Sequence, residues 1–157
     1  MRITMIGAGY VGLVSGACFA EFGVEVTCVD KDVDKVNLLN NHQLPIYEPE
    51  LNSIVDNSIK AGRLTFTSDT VVAVKDADAV FIAVGTPSRR GDGHADLTYV
   101  YDVARELAPI IDGYTVIVTK STVPVGTGDE IENIFRTLCP VGNFDVVSNP
   151  EFLREGS

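Results

Sequence analysis

Gly7-Ala8-Gly9-Tyr10-Val11-Gly12 has the spacing G-x-G-x-x-G and decides the fold. The apolar run Arg2-Ile3-Thr4-Met5-Ile6 precedes it, and an amphipathic segment that ends near Gly23 follows it. This order predicts a strand, a glycine turn and a helix. The glycines permit a tight turn, close approach of a diphosphate to the main chain, and close packing of the helix on the sheet. The first-turn amides of such a helix suit an anion. The alternative is a tight turn that binds nothing.

A carboxylate stands at the end of the next predicted strand. The apolar run 24–29 ends in Asp30, 18 residues after Gly12. A carboxylate there can accept hydrogen bonds from the ribose hydroxyls of adenosine, and it repels a 2′-phosphate, so the pattern favours NAD over NADP. Lys31 and Lys35 leave a small opening for NADP, although solvated surface lysines are an equally good interpretation.

Composition limits the classes of protein that the chain can belong to. The 157 residues suit one domain, and 45% hydrophobic residues exclude disorder. With 22 acidic and 12 basic residues the formal charge is −10, so nucleic acid and anionic membranes are poor partners. The sequence has no apolar stretch long enough to span a bilayer and begins directly in a strand, so we expect a cytoplasmic protein.

The cysteines and histidines suggest no metal site. Cys18, Cys28 and Cys139 are scattered, and the first two are expected to be small buried hydrophobic residues. His42 and His94 have no cysteine or carboxylate at ligand spacing.

Helical and extended patterns alternate along the rest of the chain. In the first helix, a stripe of apolar residues is predicted to be buried: Val11, Val14, Cys18 and Phe22. Further strands are predicted at 64–67, 78–84, 115–118 and 144–148, and helices at 32–41, 50–61, 69–75, 97–111 and 126–139. Alternation of this kind predicts an α/β fold, a doubly wound parallel sheet with helices on both faces.

Polar residues follow the later strands, at the edge where such sheets place their ligands. These segments are Gly85-Thr86-Pro87, Lys120-Ser121-Thr122-Val123-Pro124 and 149–156. Thr86 and Thr122 offer hydroxyls to the nicotinamide half of a dinucleotide, or they make local turn bonds. Glu151 and Glu155 would share one face of a helix, where an exposed acidic helix start is the alternative to a functional pair.

Together these motifs resemble the UDP-glucose 6-dehydrogenases of the nucleotide-sugar dehydrogenase group, over the whole chain. Gly156 after Asn149-Pro150-Glu151-Phe152-Leu153-Arg154-Glu155 favours UDP-glucose over GDP-mannose. The resemblance implies a Rossmann-like fold. It also implies a reaction in which UDP-glucose, two NAD and water become UDP-glucuronate and two NADH, by way of an aldehyde and a cysteine thioester.

The resemblance also implies which residues act. Cofactor contacts would come from Gly7, Gly9, Tyr10, Val11, Gly12, Asp30, Lys35, Gly85, Thr86, Pro87, Ser121, Thr122 and Glu155. The sugar nucleotide would meet Glu151, Phe152, Leu153, Arg154 and Glu155. Thr122, Glu151 and Glu155 would position water and support proton transfer, with the division of roles left open.

One departure from the family is large. The family's catalytic cysteine, lysine and asparagine lie downstream, in a central helix and a second domain. We therefore expect residues 1–157 to be the NAD-binding domain of a longer enzyme, which is a homodimer in the family. The chain alone is expected to bind NAD without oxidising UDP-glucose, and its own oligomeric state is left open. The alternatives are a GDP-mannose or 3-hydroxyacid dehydrogenase, and a non-catalytic NAD-sensing Rossmann module.

Overall fold

Six strands and six helices make up the part of the chain that the computed structural model describes, residues 1–89, 91, 94–140 and 142–151. In chain order they are β1 (Arg2–Ile6), α1 (Tyr10–Glu21), β2 (Glu25–Val29), α2 (Val33–Asn40), α3 (Leu51–Lys60), β3 (Leu64–Thr67), α4 (Thr70–Val74), β4 (Ala79–Ile82), α5 (Thr98–Leu107), β5 (Tyr114–Thr119), α6 (Thr127–Leu138) and β6 (Asn143–Ser148).

The strands form one parallel sheet in the order β3-β2-β1-β4-β5-β6. Ile6 of β1 lies in register with Val29 of β2 and with Ile82 of β4, so these three strands end at the same edge. From β1 the chain first adds β2 and β3 on one side, and it then crosses back to add β4, β5 and β6 on the other side. This reversal opens a crevice at the carboxyl ends of β1 and β4.

Helices cover both faces of the sheet, as predicted. One core joins α1, α2 and α3 to the sheet and contains Met5, Leu13, Leu39 and Val55. The other joins α4, α5 and α6 to the opposite face, with Ile82 and Phe135 among its fully buried side chains. Residues of β1 alternate between the two cores because successive side chains of a strand point to opposite faces.

The buried face of α1 differs from the predicted stripe. Phe22 is 84% exposed, and Val14 and Cys18 are only half-buried. The buried residues are small ones with a single leucine: Gly12, Leu13, Gly16, Ala17 and Ala20. A Cβ on Gly16 would lie 2.8 Å from the Cys28 sulfur. The helix therefore lies too close to the sheet for large side chains. The larger apolar residues of the predicted stripe lie at the side of this contact instead.

The cysteines match expectation in part, and His42 makes a contact that its sequence spacing does not indicate. Cys28 is fully buried, and burial raises the pKa of its thiol to about 12, so it behaves as a small hydrophobic residue as predicted. Cys18 is less buried than predicted. His42 does have a carboxylate partner, because its Nδ1 lies 2.7 Å from Oδ1 of Asp56. That pair joins residues 14 positions apart, which a local spacing rule does not detect.

Two helix starts are capped by aspartate side chains. The side chains of Asp32 and Asp69 accept hydrogen bonds from the amides of Lys35 and Val72 at the starts of α2 and α4. Gly23 follows α1 with a φ of 93°, the conformation expected just beyond a helix. None of the described helices is long and apolar enough to cross a membrane.

Replacing Gly12 by alanine tests the close packing of α1. Its Cβ would lie 1.8 Å from the carbonyl oxygen of Gly7, so the main chain would have to move. We expect Gly12→Ala to lower the free energy of unfolding by about 3 kcal/mol, measured by urea denaturation. The matched control is Gly128→Ala in α6, whose Cβ meets nothing within 4 Å. Equal effects of the two substitutions would contradict the packing argument.

Candidate functional site

A cleft of about 510 Å³ lies at the carboxyl edge of the sheet. Its lining residues come from the ends of β1, β2 and β4 and from the starts of α2, α4 and α5. They are Ile6, Gly7, Gly9, Val29, Asp30, Lys31, Lys35, Thr70, Ala83, Val84, Gly85, Pro87, Tyr99, Asp102 and Val103. Six predicted site residues therefore meet in one cleft: Gly7, Gly9, Asp30, Lys35, Gly85 and Pro87.

The glycine turn forms one wall of this cleft. Gly7 has a φ of 104°, and a Cβ there would lie 2.7 Å from the carbonyl oxygen of Ala83, so only glycine fits. Gly9 is the N-cap of α1 and has no side chain with which to cap the first-turn amides. A Cβ on Gly9 would meet nothing within 4 Å, so open space lies beside those amides. An anion in this space can accept hydrogen bonds that the helix itself does not satisfy.

The Asp30 carboxylate connects the glycine turn to α2. Its Oδ2 accepts hydrogen bonds from the amide of Ala8 at 3.0 Å and from Nζ of Lys35 at 2.7 Å. Its Oδ1 accepts from the amide of Asp32 at 3.0 Å. A carboxylate has about four acceptor positions, so Oδ1 can still accept one bond from a ligand hydroxyl. Burial acts to raise the pKa of Asp30, but these hydrogen bonds outweigh it, and the pKa lies below its ordinary value.

The hydroxyl residues after β4 and β5 lie beside the lining residues rather than among them. Thr86 Oγ1 donates to the carbonyl oxygen of Thr122 at 3.2 Å, and Thr122 Oγ1 lies 3.5 Å from the carbonyl oxygen of Glu151. The Ser121 hydroxyl is buried and donates to the carbonyl oxygen of Val84 at 2.7 Å. These bonds hold the ends of β4, β5 and β6 together at the same edge.

The remaining predicted residues fall into two groups. Tyr10 donates from its hydroxyl to Oε2 of Glu48 at 2.7 Å, which connects α1 to the segment before α3. Val11 is half-buried in α1, and Gly12 packs against Gly7. The other group lies outside the described residues: Phe152, Leu153, Arg154 and Glu155.

The first turns of α5 form a wall of the cleft that sequence reasoning did not assign to the site. Tyr99, Asp102 and Val103 line it. Tyr99 and Asp102 lie on the exposed side of this helix, where nothing in the local sequence pattern marks them as site residues. The order of the elements could have indicated that α5 lies at the site. A helix that follows a strand ending at the ligand edge must begin near that edge.

Comparison with known proteins identifies a family. The family model described as "UDP-glucose/GDP-mannose dehydrogenase family, NAD binding domain" matches residues 1–157. The UDP-glucose 6-dehydrogenase of Rhizobium meliloti (strain 1021) is 64% identical over 157 residues, which are 100% of this chain and 36% of that protein. UDP-glucose 6-dehydrogenase TuaD of Bacillus subtilis (strain 168) is 52% identical, over 99% of this chain and 34% of that protein.

Solved structures show the same architecture. A UDP-glucose dehydrogenase from Pyrobaculum islandicum superposes with a TM-score of 0.93 at 39% identity, covering 99% of this chain and 37% of that chain. A GDP-mannose dehydrogenase from Pseudomonas aeruginosa gives a TM-score of 0.89, also at 39% identity and with the same coverage. The chain thus spans about a third of the length of the relatives that it matches.

Substitution of Asp30 tests the hydrogen bonds of its carboxylate. Because its pKa is lower in the folded chain than in the unfolded one, the carboxylate adds stability at neutral pH, and this contribution is lost as the pH falls through the folded-state value. We expect Asp30→Asn to cost about 1–2 kcal/mol at neutral pH and much less in acid, measured by urea denaturation. The exposed Asp112→Asn is the control. A cost for Asp30→Asn that does not change with pH would contradict the electrostatic account.

Proposed function

Because the chain belongs to the UDP-glucose/GDP-mannose dehydrogenase family and matches its NAD-binding domain, we propose that it supplies the cofactor site of an NAD-dependent UDP-glucose 6-dehydrogenase. One structural observation supports this proposal above the others. The uncapped start of α1 at Gly9 and the carboxylate of Asp30 line the same cleft.

The residues of the cleft fit NAD. The open space at Gly9 suits the diphosphate, because the first-turn amides and the positive end of the helix dipole both favour an anion. The free acceptor position on Asp30 Oδ1 suits a ribose hydroxyl. Gly85 and Pro87 line the cleft beyond β4, and we assign them to the nicotinamide half together with Thr86, Ser121 and Thr122. NAD supplies the hydride acceptor for an alcohol oxidation.

The proposed substrate is UDP-glucose, the sugar nucleotide that appears in the names of the two curated relatives described above. Its C6 alcohol would be oxidised to a carboxylate in two hydride transfers, with one water added and two NAD reduced. We assign Thr122 and Glu151 to the reacting end, because the hydrogen bond between them brings the loops after β5 and β6 together. Phe152, Leu153, Arg154 and Glu155 continue this segment and are proposed to meet the sugar nucleotide.

We also propose that the nucleophilic cysteine of this reaction lies outside these 157 residues. Cys28 is fully buried, and its raised pKa keeps it a thiol at neutral pH. Cys18 and Cys139 are half-buried, and neither lines the cleft. The relatives are about three times as long as this chain. We assign the sugar-nucleotide domain and the contacts of a homodimer to the part of such an enzyme that these 157 residues do not cover.

A second candidate substrate is GDP-mannose. The GDP-mannose dehydrogenase structure is as similar in sequence as the UDP-glucose dehydrogenase structure, at 39% identity each. NADH formation by the complete enzyme, measured with each sugar nucleotide in turn, separates the two. We expect UDP-glucose to give the larger kcat/KM, and a larger value with GDP-mannose would reverse the assignment.

Gly9→Ala tests the diphosphate site. A methyl group in the space beside the first-turn amides would obstruct the approach of a diphosphate, so we expect NAD to bind this chain at least about tenfold more weakly. The measurement is a calorimetric titration with NAD, and Gly128→Ala serves as the control. Stability should change by less than about 1 kcal/mol, because a Cβ on Gly9 touches nothing. Unchanged NAD affinity would rule out the diphosphate position.

A further inference from the structure

Among the described residues, four charged side chains line the cleft, and each one is ion-paired. Asp30 pairs with Lys35 at 2.7 Å, and both belong to the cleft. Lys31 pairs with Glu106 at 2.8 Å, and Asp102 pairs with Arg105 at 2.9 Å. The two lysines beside Asp30 are the cations that a 2′-phosphate on the ribose would need. Both are already bound to carboxylates.

Glu106 is held in place from two sides. Its Oε2 accepts the Lys31 ammonium, and its Oε1 accepts a hydrogen bond from the Thr70 hydroxyl at 2.9 Å. The hydrogen bond from Lys31 is the largest cause of a lowered pKa for Glu106, so this carboxyl stays ionised at neutral pH. Glu106 lies one turn beyond the cleft-lining residues Asp102 and Val103 on α5. From there it draws Lys31, which follows Asp30 in the chain, toward α5.

A 2′-phosphate carries a charge of about −1.5 to −2 at neutral pH. Beside Asp30 it meets a carboxylate of the same sign, and it gains affinity only where a cation compensates. Lys35 already neutralises Asp30, so its release to a phosphate would expose the carboxylate charge. Lys31 is the other cation beside Asp30. Its side chain is 73% exposed and flexible, so it could turn to a phosphate if it left Glu106.

We propose that Glu106 is a specificity-determining residue that favours NAD over NADP, because its carboxylate holds the Lys31 ammonium away from a 2′-phosphate. The inference rests on the proposed NAD site and adds to it a residue that touches no part of the cofactor. Asp30 repels the phosphate directly. Glu106 acts through Lys31 and withholds the compensating charge.

The test is a double-mutant cycle with two nucleotides that differ only by the 2′-phosphate. The probes are 5′-AMP and 2′,5′-ADP, and the variants are Glu106→Gln, Lys31→Ala and the double variant. Glutamine keeps the size of the side chain and an oxygen that can accept the Thr70 bond. Affinities are measured by calorimetry at low salt, because an exposed pair is screened by ions.

We expect Glu106→Gln to raise the affinity for 2′,5′-ADP about two- to fivefold, the range for a partly exposed ion pair, and to leave 5′-AMP unchanged. In the Lys31→Ala background the gain should disappear, since the released cation is absent. The control is Glu132→Gln on α6, which breaks the Glu132–Arg136 pair and should change neither nucleotide.

Three outcomes would overturn the inference. One is no gain for 2′,5′-ADP in Glu106→Gln while 5′-AMP still binds. Another is an equal gain with and without Lys31, which would make Glu106 a direct repulsive charge. The third is an equal gain for both nucleotides, which would indicate a structural effect on the cleft. Failure of the unsubstituted chain to bind 5′-AMP and NAD at all would instead contradict the proposed NAD site, and the inference would fall with it.

Discussion

The structure depends on how closely α1 approaches the sheet. Gly12 and Gly16 have no Cβ, so the helix lies against Gly7 and Cys28 at distances that no side chain would allow. This approach points the start of α1 into the crevice at the carboxyl ends of β1 and β4. With glycine at the N-cap, the first-turn amides remain available to a ligand. Fold and proposed function therefore share one cause, the absence of side chains at a few positions.

The charge at this site is centred on the Asp30 carboxylate, which we propose favours NAD. The Ala8 amide, the Asp32 amide and Lys35 all donate to the Asp30 carboxylate and hold its pKa below the ordinary value. The same bonds join the glycine turn, β2 and α2, so the group proposed to bind the ribose also fixes the geometry of the turn. The hydroxyls after β4 and β5 form a second, more exposed part of the edge, which we assign to the nicotinamide and the substrate.

Local patterns predicted the sheet, the order of its elements and most helix ends, because strand alternation, glycine turns and caps depend on neighbours in sequence. The G-x-G-x-x-G turn and Asp30 were identified for the same reason, and both line the cleft. Contacts between distant residues were not predictable. Lys31 meets Glu106, and Tyr10 meets Glu48, 38 positions along the chain. The prediction of the buried face of α1 was wrong. Close packing on the sheet requires small residues there, whereas the prediction was based on large apolar side chains.

The central claim is that main-chain amides at the start of α1 bind a diphosphate. Amide chemical shifts of the ¹⁵N-labelled chain, recorded during a titration with ADP, test it most directly. The account predicts that the largest saturable shifts occur at Gly9, Tyr10, Val11 and Gly12, and that adenosine without phosphates leaves these amides unchanged. Shifts confined to other parts of the chain, or equal shifts with adenosine, would contradict the claim.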